Sequence, residues 1–269
     1  MTELLHGLLD DLTDEGDQLR ATVERLGAEG WTRPTPAAGW TVATQVAHLL
    51  WTDEVAVLAA HSHETPGAKG AWDAVVLAAI NDPMGYVDKA AFEVAELPRD
   101  EVLARWTASR SGLREALLEL PAGQRMPWFG PPMSAASMAT ARFMETWAHA
   151  LDVHDAAGGR PAPTDRVRHV AHLGVRTRDY AYSVHGDEPP AEEFRVELTA
   201  PSGEPWSWGP EDAAQSVRGT AYDFCLLATQ RVNRADTDLV AVGADAEHWL
   251  GIVQAFAGPP GAGREASGG

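Results

Sequence analysis

The period of the apolar residues changes once along this chain, and that change limits its fold more than any other feature. Before Pro189-Pro190 the apolar positions recur at helical spacing. Leu4, Leu5, Leu8, Leu9, Leu12, Leu19, Val23 and Leu26 mark an amphipathic helix over residues 2–27, ending near Gly27. Thr41 is placed to cap a second helix running to residue 61. Residues 62–81 read as a loop with a short helix at 72–80, and residues 83–119 as a long helix broken at Leu97-Pro98. Ser134 caps a helix that stops at Gly158-Gly159, and a further helix is expected over 165–184. After Pro190, Phe194, Val196 and Leu198 alternate with Arg195, Glu197 and Thr199, which is a strand. Residues 201–204 then turn the chain into Trp206-Ser207-Trp208; a helix is expected within 213–232, a strand at 239–242 and a last helix at 246–256. The expected fold is α+β: a four-helix bundle with additions over residues 1–187, a small α+β domain over 188–258 and a disordered tail over 259–269.

Charge and cysteine content narrow the function. The 39 acidic residues against 21 basic ones give a formal charge of -18, and Lys69 and Lys89 are the only lysines. Nucleic acid and anionic membrane surfaces require the opposite balance, so neither is expected as a partner. No run reaches the roughly 20 apolar residues of a membrane span, and the start of the chain lacks the basic and apolar segments of a signal peptide, so a cytoplasmic location is expected. With Cys225 as its only cysteine, the chain has no disulfide framework and no cysteine-based zinc site. A metal would have to be held by histidine and carboxylate.

Residues 144–154 supply such groups. A helix brings Glu145, His149 and Asp152 to one face and turns His154 away. A carboxylate and an imidazole one turn apart are two ligands for a divalent cation, and a third must come from Asp152 or from another helix. His48 is a candidate, because it shares a polar stripe with Thr41, Thr44, Gln45 and Thr52 on an otherwise apolar helix. Residue spacing leaves that choice open.

The segment Gly39-Trp40-Thr41-Val42-Ala43-Thr44-Gln45-Val46-Ala47-His48-Leu49, followed by Glu145-Thr146-Trp147-Ala148-His149-Ala150-Leu151-Asp152, resembles the paired motifs of the DinB-like superfamily, and within it the mycothiol-dependent maleylpyruvate isomerase family. The resemblance implies a DinB-like helical domain and a sterol-carrier-like C-terminal domain. It implies a divalent metal, usually zinc, on His48, Glu145 and His149, and moves Asp152 to a supporting position beside His149 or Arg142. It further implies an arginine from the C-terminal domain, for which Arg231 is the nearest match, with Arg218 and Arg234 as rivals. An arginine at a helix end also complements the macrodipole.

Three protein ligands leave a tetrahedral zinc one open position, the arrangement of a catalytic site. The function this implies is activation of a low-molecular-weight thiol, mycothiol in this family, for isomerisation of a small electrophile or S-transfer to it. The competing reading is a metal- and small-ligand-binding protein of the same fold without turnover. Trp128, in the Trp128-Phe129-Gly130-Pro131-Pro132 loop, is a candidate wall for the thiol or substrate, with Arg142 beside it; plain packing accounts for such a loop equally well. Nickel, iron and manganese suit the same donors as zinc. A monomer or a homodimer is expected.

Overall fold

The computed structural model describes residues 2–268, which divide into two compact units, Met1–Arg160 and Pro161–Gly269. The division falls earlier than the expected boundary at 187, because the helices after Arg160 pack with the C-terminal elements.

The first unit is helical. α1 (Thr2–Trp31) breaks where expected: Gly27 takes a positive φ of 65° outside the helical range, and a short helical segment follows the kink to Trp31. Residues 33–42 form a small hairpin, with Thr35 N–H donating to Trp40 O at 2.8 Å and Val42 N–H to Arg33 O at 3.0 Å. The hairpin delivers Trp40 to the start of α2 (Val42–His61). Thr41 caps α2 through a reciprocal box with Thr44. α3 (Pro66–Asn81) is longer than the helix expected at 72–80. Thr65 caps it and Pro66 opens it, so Gly67 and Gly70 are tolerated near its exposed start. α4 (Tyr86–Ala95) and α5 (Arg99–Glu119) are separated at Leu97-Pro98, and α6 (Ala135–Ala157) runs from the Ser134 cap to Gly158, whose φ is 95°.

α2 is the central helix of this unit. It packs on α4, α5 and α6, while α1 lies on α6. Val42, Val46, Leu49 and Leu50 join Leu19, Val23, Trp106 and Val153 in one apolar cluster. Val55, Ala56, Ala59 and Ala60 join Leu8, Leu9, Trp72, Leu117 and Met138 in another. His48, Thr52 and Asp53 are buried where α2 passes from the first cluster to the second. Buried polar groups in such a place need partners: α6 supplies them to His48 and Asp53, and Thr52 donates to the His48 carbonyl of its own helix.

The second unit has α7 (Arg168–Arg176) and α8 (Arg178–His185), separated at Thr177, whose hydroxyl donates to Gln254 O at 2.7 Å. Its four-stranded sheet is built from β1 (Arg195–Thr199), β2 (Pro205–Trp208), β3 (Ser216–Thr220) and β4 (Val240–Val242), in the order β2-β1-β3-β4. β1 pairs antiparallel with β2 and parallel with β3, and β3 pairs antiparallel with β4. Helices α9 (Ala221–Ala228) and α10 (Ala244–Ile252) complete the unit. β3 lies in the segment 213–232, within which a helix was expected. Ser216-Val217-Arg218-Gly219-Thr220 has one large apolar residue, so the ladder to β1, rather than a sequence pattern, makes it a strand. At Gly174 in α7 a Cβ would lie 2.9 Å from the Phe224 ring, which explains the close approach of α7 and α9. Residues 259–268 carry no regular structure; Arg264 O accepts from Asn233 Nδ2, and Ser267 N–H donates to Asp236. No helix among the described residues is long and apolar enough to cross a membrane.

Candidate metal centre

α2 and α6 together bring one imidazole from the first and a carboxylate and imidazole from the second to a common point. His48 Nε2 lies 3.4 Å from Glu145 Oε2, and His149 Nε2 lies 3.3 Å from the same oxygen. One donor atom from each of the three falls within 4.8 Å of the others. Two donors about 2.1 Å from a tetrahedral zinc stand about 3.4 Å apart, so this spacing is that of a coordination shell.

The hydrogen bonds around His149 support the same assignment. Gln45 donates through Nε2 to Thr35 Oγ1 at 2.9 Å and faces Asp152 Oδ2 at 3.5 Å, so its amide oxygen is turned to His149 Nδ1, 2.5 Å away. The flipped amide would set an oxygen against the Asp152 carboxylate. His149 Nδ1 therefore carries the proton, and in the neutral ring Nε2 presents a lone pair to Glu145. A His149 Nε2 lone pair facing the Glu145 carboxylate oxygen is repulsive unless a cation lies between them. The donor set fits a divalent metal on these grounds, with Gln45 as the outer partner that sets the tautomer. His48 Nδ1 is buried without a partner.

Burial pushes the Glu145 carboxyl up, but the facing His149 and His48 outweigh it and hold Glu145 well below the usual carboxylate range. A quarter of its side chain remains exposed, against 14% for His149 and 8% for His48. The carboxylate edge of the triad is thus the one that solvent reaches.

Aromatic rings surround the two histidines. Trp40 stacks on His149 with centroids 5.7 Å apart and meets His48 edge-on at 5.5 Å. Trp51 lies 6.3 Å from His48. Phe92 extends from Trp40 and Tyr86 from Trp51, at 6.1 and 5.5 Å. Burial, helped by Glu93, raises the Tyr86 phenol above its usual range.

A comparison with known proteins decides the family. Residues 12–154, which contain the whole triad, match the family described as the mycothiol maleylpyruvate isomerase N-terminal domain. The chain belongs to the mycothiol-dependent maleylpyruvate isomerase family. Relatives at 56% identity include an uncharacterized protein in each of two strains of Mycobacterium tuberculosis, aligned over 94% of this chain and 96% of theirs. Two crystal structures of the mycothiol-dependent maleylpyruvate isomerase, one a histidine-to-alanine mutant, share the fold, with TM-scores of 0.57 and 0.59. Each is 16% identical and covers 88% of this chain and 92% of its own. Residues 190–242 match a second family, described as wyosine base formation.

Other residues expected at the site take varied places. Asp152 is fully buried and faces Gln45. Arg142 is instead committed to Asp53 on α2, Nε to Oδ1 3.0 Å, in an ion pair almost sealed from solvent. Burial raises the Asp53 carboxyl, and the Arg142 charge opposes that rise. Trp128 stacks on Trp72 and meets Phe129, so its ring contacts are those of core packing. Arg231 follows α9 in the second unit, where its guanidinium donates to Thr229 O. Gln45 and Trp40, which contact the triad, were not singled out as site residues although both lie in the first motif. Gln45 stands one turn before His48 on the polar stripe, the signal that marks it.

Proposed function

We propose that this chain is a metal-dependent enzyme that activates a low-molecular-weight thiol, mycothiol by the family's chemistry, toward a small electrophile in the cytoplasm. The observation that carries the reading is the His48-Glu145-His149 triad with Gln45 holding the His149 tautomer. Histidine and carboxylate donors at this spacing favour zinc. A divalent cation on the three donors would stabilise a thiolate at neutral pH.

The protein's own groups account for the rest. Gln45 keeps His149 Nε2 unprotonated, and Thr35 and Asp152 hold Gln45. Trp40 stacks on His149 and meets His48 edge-on, and limits water there. In the reaction the thiol proton passes to solvent, sulfur forms a bond to an electrophilic alkene carbon, and the alkene electron pair moves toward the conjugated carbonyl. Protonation of the adjacent carbon leaves a thioether, which is S-transfer. Rotation about the former double bond followed by loss of the thiolate gives isomerisation.

The test is incubation of metal-loaded protein with mycothiol and a panel of electrophiles, beside His149→Ala. Faster adduct formation or isomerisation by the wild type supports the reading. Equal rates in both would leave a metal-binding protein without turnover.

A further inference from the structure

The second unit holds a cleft of about 250 Å³, lined from the junction of α7 and α8, from β1 and β2 and from α10. Strand register builds one wall. Val196 and Trp208 are cross-strand partners, and Phe194 lies two residues before Val196, so all three fall on one face of the sheet. Trp249 meets Phe194 there with centroids 5.8 Å apart. Three aromatic rings around a cleft of this size make a slot for one small ring system.

Trp208 is held in place. Its indole N–H donates to His172 Nδ1 at 3.2 Å, which requires that nitrogen to be unprotonated. Desolvation, with Arg176, Arg168 and His169 around the ring, lowers the His172 pKa from its usual value, so the imidazole is neutral at pH 7 and accepts the bond.

The charged residues of the lining divide into two kinds. Arg178 is engaged within the protein: it donates to Asp179, to Glu192 O and to Pro190 O, and it lies over the Phe194 ring at 4.8 Å. Arg176 and Glu193 line the same cleft, are exposed, and form no ion pair or hydrogen bond through their side chains among the described residues. Trp249 is 1% exposed, yet its indole N–H has no hydrogen-bond partner. With Arg178 and Asp179 paired to each other, the lining keeps one open cation and one open anion. A ligand of a single charge is attracted by one of these and repelled by the other, whereas a zwitterion complements both.

We propose that this cleft binds a free aromatic α-amino acid, its ring against Trp208 and Phe194, its carboxylate on Arg176 and its ammonium on Glu193. A guanidinium holds a carboxylate through paired bonds, and the indole fixed by His172 gives the ring a rigid face. Such binding is a function of the second unit, separate from the metal centre, and rests on no part of the thiol chemistry.

The test is isothermal titration of the full-length protein with L-phenylalanine and with two analogues that each lack one charge, 3-phenylpropionate and phenethylamine. L-Phenylalanine is expected to bind, and each analogue to bind about ten-fold more weakly. Trp208→Ala should weaken L-phenylalanine on the order of ten-fold. Arg176→Met should weaken L-phenylalanine without weakening phenethylamine, and Glu193→Gln should weaken L-phenylalanine without weakening 3-phenylpropionate. Both of these positions are exposed, so their variants test the site even if Trp208→Ala fails to fold. Absence of L-phenylalanine binding, an analogue that binds as tightly as L-phenylalanine, or wild-type affinity in Arg176→Met and Glu193→Gln would overturn the assignment.

Discussion

Replacing Gln45 by leucine removes the acceptor of the His149 Nδ1 proton and the donor facing Asp152, at a position with no solvent exposure. A buried N–H stripped of its acceptor costs about 1–3 kcal/mol. The imidazole escapes that cost by turning, which takes Nε2 off the point it shares with His48 and Glu145. Loss of an outer hydrogen bond of this kind weakens metal binding about 10- to 100-fold, or about 1.4–2.8 kcal/mol, the same range as the cost of the orphaned donor. The assay is competition for zinc against a chromophoric chelator, with denaturant unfolding of the metal-free protein in parallel. Gln45→Glu provides the contrast. It retains an acceptor for His149 but places a second carboxylate beside Asp152, so it should lose stability while holding metal better than Gln45→Leu. A folded Gln45→Leu protein with wild-type zinc affinity would refute the claim that Gln45 sets the His149 tautomer.

Arg142→Met should destabilise the chain by about 3–5 kcal/mol in urea unfolding, because Asp53 would be left buried and unpaired; a loss under about 1 kcal/mol would show that the pair is not structural. His154 is buried, and desolvation together with Arg25 and Arg160, against Asp155, lowers its pKa from 6.5 to about 4. Its folded value lies below its unfolded one, so its contribution is complete above pH 6.5 and lost as pH falls toward 4. The span is worth about 3 kcal/mol, and His154→Leu should flatten unfolding free energy against pH in that window. Cys225 is fully buried, donates to Val167 O, and has its thiol pushed well above the usual range by burial. It should react with a thiol reagent only after unfolding, and rapid labelling of the native protein would contradict its placement.

The helices and the Glu145–His149 pair were legible because both follow local rules. Thr41, Ser134 and Gly158 mark helix ends by capping chemistry, and Glu145 and His149 share a face by spacing alone. His48 was a candidate from its polar stripe, but its selection over Asp152 depended on the family motif. In the structure Asp152 is buried and faces the Gln45 amide. Elements set by long-range partners were not legible. β3 exists through its pairing with β1, and the division at Arg160 follows from the packing of α7 and α8 with later elements. The contacts of Arg142 and Trp128 have the same origin. Arg142 meets Asp53 across 89 residues of sequence, and Trp128 finds Trp72; no periodicity within one helix or loop signals either contact.

The central claim is that His48, Glu145 and His149 hold one divalent cation. Elemental analysis of the purified protein, repeated after chelation and reconstitution, tests it most directly. The account predicts one metal ion per chain in the wild type, and loss of that ion in both His48→Ala and His149→Ala with helical content preserved. A wild-type protein that neither carries metal nor regains it, or a His149→Ala protein that binds as tightly as the wild type, would contradict it.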